Sequence, residues 1–163
     1  PPGSRSSGCW FDLRKDSAGK PTQYHDTAIM LPADLLSDPA GVVAATAHEL
    51  GHEVLWGRGL IDTQRPDAEA MADLFAVFQG FGIFLVNQAI EPAKGHRLQV
   101  DVFGYLGETG YAEALASYWL RHREQCPEQP VLPTWRKELD WAARHEVVWS
   151  VERLNKPATD RSK

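Results

Sequence analysis

Between Asp38 and Gly57 the chain spells out a helix with explicit punctuation, and two histidines inside it constrain what the surrounding fold must do. Asp38 is a good N-cap, Pro39 fits the first helical position, where a missing N–H costs nothing, and Gly57 is a natural stop. Val43, Ala47, Leu50 and Val54 fall on one face at helical spacing, and this is the face expected to pack. His48 and His52 lie four residues apart on a different face, one turn above one another, and that face is expected to be free for chemistry. Imidazoles so placed can share one zinc ion at about 2.0–2.1 Å. Glu49 is rotated off their axis, towards a water on such an ion rather than the ion itself. A solvated helix with two surface histidines is the bland alternative. The mid-helix position and the small residues Ala44 and Ala45 beside the motif weigh against it.

A catalytic zinc site takes a third protein ligand and keeps a fourth position for water. One class of zinc peptidases, the metzincins, needs a glycine three residues and a histidine six residues after His52. Leu55 and Arg58 stand there, so that class is excluded. Instead Glu69-Ala70-Met71-Ala72-Asp73 opens a second helix, expected from Asp67 to about Asn87. Glu69, Asp73, Ala76 and Gly80 share one stripe, with carboxylates at one end and small residues that would let a neighbouring helix approach closely. Like charges four apart on a helix cost a few tenths of a kcal/mol, roughly, so a nearby cation gives the two acids a reason to coexist. Asp67 is a weaker third ligand, because capping explains it.

The pair of motifs, His48-Glu49-Leu50-Gly51-His52 followed by Glu69-Ala70-Met71-Ala72-Asp73, resembles the thermolysin-like zinc peptidases called gluzincins, particularly their small single-domain members. The resemblance covers residues 27–80. It implies that His48, His52 and Glu69 bind Zn²⁺, that Asp73 orients a zinc-binding histidine, and that Glu49 is the general base of a zinc metalloendopeptidase acting on a peptide or protein substrate. It also implies that an edge strand, Thr27 to Leu31, pairs with substrate backbone. No downstream motif fixes the family's tyrosine or histidine that stabilises the oxyanion; Tyr105, Tyr111 and His122 are candidates. The competing reading is a non-catalytic zinc-binding module that regulates or grips another protein.

The rest of the chain suits a single α+β, mostly α, domain over residues 1–163. Residues 1–9 are Ser/Gly/Pro-rich and expected to be loose. Trp10 to Leu13, a turn through Lys15 to Pro21, and Gln23 to Leu31 read as strand, turn and strand. Ala112, Leu115, Ala116, Trp119 and Leu120 mark a third helix, Pro127, Pro130 and Pro133 a loop, and Thr134 is expected to cap a last helix reaching Leu154. The tail from Lys156 is polar and expendable. A net charge of −5 and pI near 5.7 argue against nucleic acid as partner. The apolar run from Leu74 to Val86, broken by Gln79, is too short for a membrane span and reads as a core helix. Pro1-Pro2-Gly3-Ser4 has neither the basic nor the apolar region of a secretory signal. Cys9 and Cys126 can pair but are too few for a disulfide framework, which leans the localisation towards the cytoplasm without fixing it. His25, His96, His122 and His145 read as surface or core residues, and the six tryptophans as core anchors. Nothing here sets the oligomeric state.

Overall fold

The computed structural model describes residues 8–11, 27–62, 64–90 and 105–156. The protein is mostly helical, with a two-stranded antiparallel ribbon leading into helices, as the sequence implies. Strand β1 (Gly8–Phe11) pairs with β2 (Thr27–Met30) in the register Cys9 opposite Ile29 and Trp10 opposite Ala28. Gly8 and Cys9, expected to be loose, are therefore part of a strand, whereas the expected turn at 15–21 lies outside the described residues. The ribbon rests on α1 (Pro39–Leu55). That helix starts as its punctuation demands: the Asp38 carboxylate accepts hydrogen bonds from the backbone N–H groups of Ala40 and Gly41, both at 3.1 Å.

Which face of α1 packs is not what its aliphatic residues suggest. Leu50 is 43% exposed, and Val43 and Val54 are only half-buried. Of that expected face only Ala47 is buried; Gly41, Ala44, Ala45, His48, Glu49, Gly51, His52 and Leu55 face inward with it. Small side chains on this stripe let a second helix come close, and close contact over a long stripe outweighs a few larger but isolated aliphatic residues. The point of closest approach is Gly51 against α2 (Ala68–Ala76): a Cβ there would stand 2.8 Å from the Ala72 carbonyl oxygen and 3.2 Å from Ala72 Cα. Gly51→Val is expected to force α1 and α2 apart, lower stability by about 1–3 kcal/mol, and weaken any metal held between them. Denaturant unfolding together with a zinc titration measures both effects.

The second helix does not run unbroken. After α2 it passes through a wide turn, Val77–Phe81, in which Gly80 adopts φ 97°, and resumes as α3 (Gly82–Ile90). Gly80 is exposed, so its role is to admit a left-handed backbone at the kink rather than to seat a neighbour. Ala72 and Ala76 supply the close packing. The whole stretch Ala68–Ile90 has 23 residues with a window of mean hydropathy 1.5, long and apolar enough by composition to cross a bilayer. It carries the carboxylates of Glu69 and Asp73, α2 and α3 both pack on α1, and α3 also packs on α4 (Gly107–Gln125).

The core sits where α3, α4 and α5 (Trp141–Leu154) meet, with Val77, Leu85, Val86, Leu115, Trp119, Val147 and Val151 buried together. Helix α5 begins later than Thr134, which opens a short 3-10 turn, Thr134–Glu138, instead. The break is held by Asn87: its side-chain amide donates to the Glu138 carbonyl at 3.1 Å, and its oxygen accepts from the Asp140 N–H at 3.0 Å. A backbone so pinned between two turns cannot continue the helix. Tryptophan is not uniformly a core residue here either. Trp119 is buried and donates to the Val131 carbonyl, but Trp141 and Trp149 on α5 are 77% and 48% exposed.

Candidate metal centre

Helix α1 sets His48 and His52 on one row, and the Gly51–Ala72 approach brings the first turn of α2 over them. Three atoms converge as a result. His52 Nε2 lies 3.0 Å from His48 Nε2 and 3.0 Å from Glu69 Oε2, and His48 Nε2 lies 3.3 Å from the same carboxylate oxygen. Tetrahedral ligands about 2.0–2.1 Å from a zinc ion stand about 3.3 Å apart, so this triangle is the size such an ion requires. His48, Glu49, His52 and Asp73 are all buried, whereas the Glu69 side chain is 38% exposed and forms the open side.

The orientation of each group follows from its neighbours. Asp73 Oδ1 is 2.7 Å from His48 Nδ1, which donates to it, so Nε2 is the nitrogen turned into the triangle and offers its lone pair there whenever the ring is neutral. The two rings meet edge to face, with centroids 4.5 Å apart and planes at 86°. His52 Nδ1 is buried with no hydrogen-bond partner among the described residues. Its ring is stacked on Trp56 at 3.8 Å and 23°. Trp56 lies outside the motif, but the i, i+4, i+8 spacing of 48, 52 and 56 places all three on one row, and that spacing is the signal that points to it.

Three carboxylates, Glu49, Glu69 and Asp73, crowd two imidazoles in a mostly buried space, an arrangement that is costly unless positive charge offsets it. The protonation equilibria of the side chains themselves reveal that pressure. Burial acts to lower the His48 pKa, but hydrogen bonds to Asp73 and Glu69 and the charges of Asp73 and Glu49 outweigh it and hold the ring up at about 9. Hydrogen bonds from His48 and His52 pull the Glu69 carboxyl down to about 2, against its partial burial. Each shift makes stability depend on pH. The raised His48 contributes stability that is fully present below its ordinary 6.5 and is lost as pH rises through about 9. The lowered Glu69 contributes above its ordinary 4.5, and this is lost as pH falls through about 2. Chelator-treated protein should therefore melt at progressively lower temperature between pH 6.5 and 9. A flat profile would show that His48 is not held protonated.

Other candidates separate cleanly. Asp67 pairs with Arg65 through two hydrogen bonds of 2.8 and 2.7 Å, makes no side-chain cap, and stays outside the converging group. Tyr105 lies just before α4, half-exposed, with its ring parallel to His48 at a centroid distance of 5.9 Å. Tyr111 is fully buried, and burial, reinforced by Asp73, pushes its phenol well above the ordinary range. His122 lies in the last turn of α4 beside Trp119, and His145 on α5 stacks on Trp141. His25 and His96 lie outside the described residues. No known protein family, curated protein or solved structure matches this chain.

Proposed function

We propose that the protein is a zinc-dependent peptidase in which His48, His52 and Glu69 hold the ion and Glu49 is the general base. The observation that carries this reading is the triangle of His48 Nε2, His52 Nε2 and Glu69 Oε2 at 3.0–3.3 Å, with Glu49 next to His48 in the chain and buried. Glu49 is buried, yet its carboxylate makes no hydrogen bond or ion pair with any described residue. Its charge acts on the neighbouring His48 ring, but no donor ties up its oxygens among the described residues, which leaves them available for proton transfer.

Zinc bound there would supply Lewis-acid activation of a water and of a substrate carbonyl. The chain's own groups do the rest. Glu49 takes a proton from the attacking water and returns it to the nitrogen of the scissile amide, so that the C–N bond breaks with a neutral amine leaving. Asp73 accepts from His48 Nδ1 and so favours the neutral tautomer whose Nε2 would be free to hold an ion. Of the three candidate donors, Tyr105 is the one whose ring lies exposed beside His48, whereas Tyr111 is sealed away and His122 is in the last turn of α4, which favours Tyr105 as the donor to a developing oxyanion. Strand β2 pairs with β1 on one side, and its second edge meets no strand among the described residues; that edge is the one an extended peptide would pair with.

The direct test is metal content. Protein reconstituted with zinc and passed through a desalting column is expected to retain one ion per chain, and His48→Ala or His52→Ala is expected to retain none. A wild-type chain that keeps no zinc overturns the proposal.

A further inference from the structure

On the reading that His48, His52 and Glu69 hold a divalent ion, we propose that Trp56 is the positioning residue for His52, fixing its imidazole by ring stacking where no hydrogen bond to Nδ1 does so among the described residues. The two histidines are held by different physics. His48 is tied through Nδ1 to a buried carboxylate at 2.7 Å. His52 has no counterpart: its Nδ1 is buried and meets no acceptor among the described residues. What it has is an indole face, centroid to centroid 3.8 Å and only 23° from parallel.

The backbone keeps that face in place. Trp56 is the C-cap of α1, and its N–H donates to the His52 carbonyl at 2.8 Å, so the indole and the imidazole leave the helix one turn apart on the same row. The terminal torsion of histidine is broad and poorly restrained on its own. Stacking restricts the ring to one plane, and in that plane the Nε2 edge meets His48 Nε2 and Glu69 Oε2, each at 3.0 Å. A ring turned out of the plane would lose the stack and carry its Nε2 out of the triangle. Trp56 therefore acts through His52 and need not touch an ion or a substrate. An aromatic contact is weaker than a charged hydrogen bond, so its loss should cost about two- to tenfold in zinc affinity, less than the roughly 10–100-fold expected when a carboxylate partner is removed.

The alternative is that Trp56 only fills space at the end of α1, in which case any large apolar side chain would serve. Trp56→Leu, Trp56→Met and Trp56→Phe separate the two, with zinc affinity read by competition against a chromophoric chelator and ring placement by the visible absorption of the cobalt-loaded protein. Trp56→Leu and Trp56→Met are expected to bind zinc about two- to tenfold more weakly and to alter the cobalt spectrum, whereas Trp56→Phe recovers both. In Trp56→Phe the part of the tryptophan emission that changes on adding zinc should also disappear while zinc still binds. Whichever non-aromatic variant keeps the wild-type helical circular dichroism decides the affinity comparison. Wild-type affinity with an unaltered cobalt spectrum in that variant overturns the inference, as does an emission change that survives in Trp56→Phe. A wild-type chain that takes up neither zinc nor cobalt overturns the metal-site reading itself, and this inference with it.

Discussion

Glu49→Gln is expected to keep the fold and the zinc but to lose hydrolysis by about 10²–10⁴-fold. Glutamine has almost the same shape, so the packing that buries residue 49 survives. It cannot accept the proton of an attacking water, and the first half of the reaction loses its base. Zinc should stay because residue 49 is not among the three converging atoms, which come from His48, His52 and Glu69. Metal content by atomic absorption and turnover of a peptide library, measured on the same preparations, check both halves. Equal turnover by the variant and the wild type would remove Glu49 from the reaction. Zinc-loaded protein that cleaves nothing in a broad library, with or without the substitution, would favour the non-catalytic module.

The second large contrast is between the two acids of α2. Both lie on one stripe, but the structure gives them different partners. Glu69 Oε2 is a corner of the triangle, and Asp73 Oδ1 touches only the far nitrogen of His48. Glu69→Ala removes a charged oxygen from the place of the ion and should leave the site empty or weakly occupied. Asp73→Asn keeps an oxygen able to accept from Nδ1 but loses the charge. It also places an amide N–H₂ where Oδ2 is buried without a partner among the described residues. Zinc affinity should fall about 10–100-fold, with the ion still taken up from excess zinc. Parallel zinc titrations decide the assignment. A tight-binding Glu69→Ala beside an empty Asp73→Asn would reverse it.

The sequence alone determined the features that depend on distances along one helix. The i, i+4 separation of His48 and His52 is a property of any α-helix, and Asp38, Pro39 and Gly57 state where that helix begins and ends whatever surrounds it. The grouping of Glu69 with Asp73 was legible for the same reason, and so was the mostly helical class. Tertiary structure decided what depends on one element meeting another. Val43, Leu50 and Val54 advertise a packing face by hydrophobicity, but the alanine, glycine and histidine stripe won because Gly51 and Ala72 allow α1 and α2 to approach more closely than branched side chains would permit. Gly80 looked like a residue for close packing and became a kink, since a small residue and a left-handed backbone are both uses of the same missing Cβ. Thr134 is a credible cap that lost to Asn87, a residue 51 positions away from the Glu138 carbonyl it holds, and no local rule anticipates so distant a hydrogen bond. The unequal support of the two histidines, a carboxylate for one and an indole for the other, likewise arises only when α2 crosses α1, because that crossing delivers Asp73 to His48 and leaves His52 to the end of its own helix.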